Sequence, residues 1–270
     1  MERPAETLAV DFPEPQFRIL DGHGELAVAE AAETHAARPQ RVTAIIAALC
    51  EAVGGEPCDA ALVRRLSVGT RKWLLQHVAR RFAADARWFE ARCPSCSKPF
   101  DLECDLEHAP RKPAGSGFPV IEIVTSLGPR LFEAPNGGHE EHITDIRPDD
   151  PRRTLAGLCG LAAEAEEEAD RFTEHELVLI DEALETISPA VADGVDAACP
   201  ECGREAHFTI DPLDFAFPPA GALLRDVHIL ARAFGWSERD ILSLPATRRR
   251  AYVALVATEA GGSARRARAA

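Results

Sequence analysis

Two short segments carry the spacing of metal ligands, Cys93-Pro-Ser-Cys96 and Cys199-Pro-Glu-Cys202. Two residues between cysteines let both thiolates meet one metal while the intervening backbone turns tightly. Two such knuckles complete a tetrahedral site of four sulfurs. The stretches that follow them resemble each other: a small residue, a base, and then a strand that opens around Phe100 in one copy and Phe208 in the other. Gly203 suits the left-handed conformation that ends such a turn. This internal repeat predicts a zinc ribbon of two facing hairpins, with one Zn2+ held by Cys93, Cys96, Cys199 and Cys202. A disulfide pair, a redox Cys-x-x-Cys and four unconnected thiols are the alternatives, and disulfides are rare in cytosolic chains. Iron in a rubredoxin-like site uses the same ligands and stays open beside zinc. Four cysteines leave no position for water or substrate, so the expected role is structural. Binding of such a metal contributes on the order of 10 kcal/mol to folding.

The other titratable residues make no comparable constellation. Cys50 and Cys159 read as core residues on apolar helix faces, Cys58 as a turn residue, and Cys104 as part of the strand after the first knuckle. There is no phosphate-binding glycine loop, no G-x-S-x-G elbow and no dinucleotide fingerprint. His139-Glu-Glu-His142 lacks the spacing of the zinc-protease helix and follows Asn136-Gly137-Gly138, so it reads as a solvated loop. Asp145, Asp149 and Asp150 offer carboxylates for magnesium, but in a proline-containing acidic loop cap and turn roles come first. His77, His207 and His228 fall within regular elements. The expectation is a protein without catalytic residues, and a hydrolase using residues 139–150 is a weaker alternative.

The elements that must position the cysteines are α+β and mostly helical. Residues 1–38, broken by prolines at 4, 13, 15 and 39, read as an irregular arm. A helical unit at 39–92 follows, with helices at 41–53 (stopped by Gly54-Gly55), at 59–66, and from Thr70 as N-cap to about residue 89. Trp73, Leu74, His77, Val78 and Phe82 give the last of these one apolar face. Residues 93–107 and 195–217 form the ribbon, with strands at 100–106 and 206–211. The gap between knuckles is long for a compact ribbon, so residues 108–194 read as an α/β insertion. It begins with a linker at 108–117 and a hairpin at 120–125 and 130–133. A helix at 152–169 comes next, and then a helix from Thr173, where Thr173-Glu-His-Glu176 fits a capping box, ending before Pro189. A C-terminal helical unit at 218–258 carries the stripe Leu223, Leu224, Val227, Leu230 and Ala231, a short helix at 237–242 and another at 248–258. Residues 259–270 read as a disordered tail.

The 270 residues suffice to bury about 70–75% of the unfolded surface, so the metal is not a precondition of folding. No apolar run approaches the roughly 18 residues of a membrane span, and the acidic, proline-broken start lacks a basic, then apolar leader. The expectation is a cytoplasmic protein with no membrane contact. A net charge of −14 argues against nucleic acid as a partner. The charge is unevenly spread: residues 164–185 hold ten acids against Arg171, and residues 221–270 hold nine arginines against four acids. Solvated helix faces explain this simply, and opposite-signed docking surfaces are the sharper reading.

Taken together, the layout resembles one family. Residues 41–53, the segment VRRLSVGTRKWLL at 63–75, the two knuckles, and LRDVHILARAFGWSERDILSLP at 224–245 are similar to baseplate hub assembly chaperones of contractile phage tails and phage-tail-like injection systems. The likeness covers residues 40–105 and 195–258. It implies a non-enzymatic assembly or scaffold role, with a baseplate hub or tape-measure protein as partner. The expected partner surface is Leu223, Val227, Leu230, Phe234 and Trp236, unless that stripe packs on the protein's own core. A zinc-ribbon module associated with nucleic acid is the rival reading.

Overall fold

The computed structural model describes residues 6–83, 88–103, 105 and 107–269, residues 6 and 260–269 by backbone alone. The fold mixes α and β, with helices in the larger share and sheets of only two or three strands.

The first 38 residues are more regular than expected. After a 3-10 turn at Glu6–Ala9 come strand β1 (Pro15–Phe17) and helix α1 (Gly22–Thr34). Alanines and glutamates blur the apolar stripe of α1, but Asp21 caps it by accepting the Gly24 amide at 3.0 Å. Helix α2 (Arg38–Leu49) stops four residues before the expected end, because Cys50 turns extended and opens strand β2 (Cys50–Val53). That strand pairs with β1 on one side and with β3 (Glu56–Pro57) on the other. Gly54 and Gly55, both at positive φ, therefore make a hairpin turn and do not stop a helix. Asp59 caps α3 (Ala60–Arg65). Ser67, not Thr70, caps α4 (Val68–Phe82), and the Thr70 hydroxyl donates to the Asp11 carbonyl instead. This helix ends at Phe82, and residues 88–92 are extended as strand β4 (Trp88–Arg92). Strand β5 (Pro99–Glu103) completes the first ribbon hairpin.

The segment read as a linker contributes β6 (Arg111–Lys112). The hairpin β7 (Val120–Thr125) and β8 (Gly128–Glu133) forms as expected, with Thr125 opposite Gly128. The next segment corrects the expected loop. Asn136 caps α5 (Gly137–Ile146), so His139 to His142 are helical. The expected helix over 152–169 is two helices, α6 (Pro151–Cys159) and α7 (Ala165–Ala169), separated where Gly160 turns extended. Thr173 and Glu176 form the expected capping box of α8 (Glu174–Ile187). Strand β9 (Ala190–Val191) then returns to pair with β6.

The second ribbon hairpin is β10 (Gly194–Ala198) and β11 (Glu205–Thr209), followed by α9 (Pro212–Phe215). The C-terminal unit is α10 (Ala220–Phe234), α11 (Glu238–Leu242) and α12 (Ala246–Ala269). The last helix continues through the segment expected to be disordered. Among the described residues, no helix is long and apolar enough to cross a membrane.

Four separate hydrophobic clusters hold the chain. One lies among α2, α3 and α4, one between the β7–β8 hairpin and α6 and α8, one inside the ribbon, and one under α10, α11 and α12. Polar links tie them together. Arg71, 1% exposed, donates to Glu140 at 2.7 Å and to the Pro39 carbonyl and Thr43 hydroxyl at 2.8 Å, joining α4 to α5 and α2. A Cβ on Gly137 would collide with that guanidinium, so only glycine fits. Arg249, also buried, pairs with Glu25 of α1 and lies 3.6 Å from Asp226.

Arg249→Ala leaves the Glu25 carboxylate buried without its partner, and chemical unfolding should show a loss of about 3–5 kcal/mol, whereas removing both charges with Arg249→Met and Glu25→Leu should cost much less. The amides of Ser126 (2.6 Å) and Thr173 (2.8 Å) hold the Glu176 carboxyl down at about 2. A carboxyl depressed in the folded state stabilises above its ordinary value of 4.5 and loses that contribution as pH falls towards 2. Glu176→Gln should therefore flatten the dependence of melting temperature on pH between 4.5 and 2. An unchanged slope would show that other groups carry it.

Candidate metal centre

Each knuckle occupies the turn of its own hairpin, and the two turns match bond for bond. The Ser97 amide donates to the Cys93 carbonyl at 2.9 Å, and the Gly203 amide to that of Cys199 at 2.8 Å. The Cys93 amide donates to the Lys98 carbonyl at 3.0 Å, and the Cys199 amide to that of Arg204 at 2.9 Å. Ser97 and Gly203 both have positive φ, 60° and 70°. Glycine adopts this freely, while serine at the equivalent position costs about 1–2 kcal/mol. The strand before each knuckle differs from the expectation: the helix expected to run to about residue 89 overlaps β4, and residues 194–198 carry no strong alternation. The hairpins face each other through Phe100 and Phe208, edge to face with centroids 5.2 Å apart, and Phe215 of α9 packs on Phe89 at 4.7 Å.

This packing brings all four expected ligands together. The sulfurs of Cys93, Cys96, Cys199 and Cys202 lie within 4.8 Å of one another, and among the described residues they form the one such group of metal-ligating side chains. Cys93 Sγ is 3.7 Å from Cys202 Sγ, and Cys96 Sγ is 3.7 Å from Cys199 Sγ. A disulfide needs about 2.05 Å. Four sulfurs about 2.3 Å from a central zinc stand roughly 3.8 Å apart along each tetrahedral edge. The spacing therefore fits a metal with four thiolate ligands, and the closest approaches link cysteines 109 and 103 residues apart in sequence.

The electrostatics of the cluster also suit a cation. The Cys96 amide, together with that of Ser95, draws the Cys93 thiol down to about 6. Cys96 rises to about 12: the Lys98 amide favours its thiolate, but burial and the three neighbouring sulfurs outweigh it. One thiolate forms easily and suppresses the next, which a divalent ion among them would reverse.

Of the remaining cysteines, Cys50 and Cys159 are buried as expected, although Cys50 begins β2 and is not on a helix, and Cys58 is buried just before the cap of α3. Cys104 lies outside the described residues. Cys159 Sγ sits 3.6 Å from His139 Nδ1, and His139 Nε2 sits 3.2 Å from Glu133, an arrangement no spacing in the sequence announces. Burial, reinforced by Glu133, pushes the Cys159 thiol up to about 12, which favours its neutral form. Most carboxylates of residues 139–150 have structural partners, and Asp149 is exposed. Glu140 pairs with Arg71, Glu141 accepts from Thr43 and Arg64, Asp145 accepts from Gln40, and Asp150 caps α6.

The expected partner surface needs correction. Leu223, Val227 and Leu230 are buried in the C-terminal unit's own core with Ile241 and Leu242, because α10 turns its strongest apolar face towards α11 and α12. Phe234 is 42% exposed and stacks on Trp236 at 4.9 Å, and both rings pack edge-on against Tyr252. Comparison with protein-family models, with curated proteins and with solved structures finds no match to this chain.

Purified protein should contain one zinc per chain by elemental analysis. Cys93→Ser and Cys199→Ser should each abolish the metal and broaden thermal unfolding, since each removes a ligand from a different hairpin. Metal retained in either variant would contradict a single site shared by the two knuckles.

Proposed function

We propose that the protein is a non-enzymatic, zinc-binding assembly factor or structural component of a contractile-tail or injection-system baseplate, acting in the cytoplasm by binding a hub or tape-measure protein. In this reading the N-terminal and C-terminal helical units are joined by the zinc ribbon, and the insertion at 108–194 loops out of it. The observation that carries the role is the closed four-sulfur site. It has no open position for a substrate and serves to fasten two hairpins from distant parts of the chain. The baseplate assignment rests on the resemblance of residues 63–75 and 224–245 to the hub assembly chaperones. The partner surface is the corner of Phe234 and Trp236, since the rest of the stripe is core. A stacked Phe and Trp, the first exposed and the second partly buried, have the composition of an interface anchor.

The rival nucleic-acid reading finds little support in the ribbon. Residues 88–107 and 194–211 hold nine carboxylates against Arg92, Lys98 and Arg204. Such a surface repels a phosphate backbone.

Co-expression with a baseplate hub protein and a tape-measure protein of the same system should yield a complex stable to size exclusion with one of them. Phe234→Ala with Trp236→Ala should weaken that complex at least about tenfold without loss of zinc. No complex with either protein, from a zinc-loaded and monodisperse chain, would remove the baseplate assignment.

A further inference from the structure

The four sulfurs of the metal centre are not equivalent. Cys93 and Cys199, the first cysteine of each knuckle, are both 1% exposed, and each is tied into its own turn through both its N–H and its carbonyl. Cys96 and Cys202, the second of each knuckle, are half-buried and exposed respectively. The two sulfur–sulfur contacts of 3.7 Å each join one cysteine of either kind, and both cross from one hairpin to the other: Cys202 with Cys93, and Cys96 with Cys199. Every accessible thiol of the centre therefore has a sheltered thiol of the opposite hairpin against it. Cys50, Cys58 and Cys159 lie elsewhere, in the helical and insertion cores.

An accessible thiolate paired with a second thiol is the arrangement that peroxide chemistry uses. Oxidation selects thiolates by exposure, and a sulfenic acid beside another thiol condenses with it to a disulfide. Each contact here has to close from 3.7 Å to the roughly 2.05 Å of a disulfide, a movement of less than about 2 Å. Within a knuckle, by contrast, the backbone bonds from Ser97 to Cys93 and from Gly203 to Cys199 hold the turn that separates its two cysteines.

We propose that the four-cysteine centre is a peroxide-responsive modification site, in which Cys202 and Cys96 are oxidised first and Cys93 and Cys199 resolve them across the hairpins. This chemistry presupposes the zinc-loaded centre proposed above. The Cys202 thiolate attacks hydrogen peroxide: the O–O bond breaks, an S–O bond forms, and the second oxygen leaves as hydroxide, which a proton converts to water. The Cys93 thiolate then attacks the sulfenic sulfur, an S–S bond forms, and the departing hydroxide is again protonated to water. Cys96 and Cys199 react in the same way, so two peroxides and four protons give two disulfides and four waters. Disulfide sulfurs are poor donors, and the cysteines no longer hold the ion. Because both links run between hairpins, the oxidised ribbon stays joined after the metal has gone; links within each knuckle would let the hairpins part.

The test needs no variant. Metal content of the full chain is measured first, reductant is removed, and hydrogen peroxide is added while a chromogenic chelator reads released zinc. The products are then digested without reduction and their cross-links mapped by mass spectrometry. Release should be complete at about two peroxides per zinc, with Cys93 linked to Cys202 and Cys96 to Cys199. In limiting N-ethylmaleimide, Cys202 and Cys96 should be alkylated at least about fivefold ahead of Cys93 and Cys199. Absence of metal before peroxide would overturn the zinc reading together with this chemistry. Metal present at the outset but retained in excess peroxide, links within Cys93–Cys96 and Cys199–Cys202, sulfinic acids in place of links, or alkylation that starts at Cys93 or Cys199 would overturn the peroxide proposal alone.

Discussion

Four thiols within 4.8 Å of one another cannot all ionise unless a cation lies among them, and the rest of this fold is arranged around that constraint. The matched turns of the two knuckles bring the four sulfurs within 4.8 Å of one another. The Cys96 and Ser95 amides draw the Cys93 thiol down within that cluster. The left-handed turn at Ser97 is the clearest sign of how firmly this geometry is imposed: a residue that pays for positive φ is held there by the same two backbone bonds that Gly203 makes at no cost.

What the cluster holds together is a chain with four hydrophobic cores instead of one. The links between the cores are largely polar. Arg38 pairs with Asp211 at 2.6 Å and Lys72 with Asp193 at 2.7 Å, tying α2 and α4 to the ribbon, while Arg71 ties α4 to α5. These three cations and three carboxylates line one cavity of about 300 Å³ where helical unit, insertion and ribbon meet. The partly exposed pairs Arg38–Asp211 and Lys72–Asp193 are each worth little and are screened by salt. A metal held by the four thiolates would contribute far more, and with it bound the paired hairpins would be the strong joint in this seam.

Legibility in the sequence followed the physical range of each signal. The metal ligands were readable because cysteine pairs at this spacing have few other uses, and the Thr173–Glu176 cap because its two bonds are local. The β7–β8 hairpin was readable from alternation and a turn. Helix α1 was hidden by its alanines, and the end of α2 was missed because Cys50-Glu-Ala-Val53 continues a helical pattern yet finds strand partners in β1 and β3. Helix α5 was mistaken for a loop because Gly137 and Gly138 look like turn residues. Gly137 is there to admit the Arg71 guanidinium, a contact spanning 66 positions that no local pattern encodes.

The same distinction explains why the C-terminal stripe was readable as apolar but not as covered. Periodicity shows that Leu223, Val227 and Leu230 share a face, and it cannot say what lies opposite. The answer depends on α11 and α12 folding back after the left-handed turn at Gly235, and on Arg249 reaching Glu25 more than two hundred residues earlier. Once that face is closed, the large apolar side chains this unit leaves exposed are Leu224, Phe234 and Leu255. A helical unit that satisfies its own core and still exposes Phe234 and Leu255 keeps apolar groups at the margin of its packing face, where side chains can be desolvated without being withdrawn from the fold.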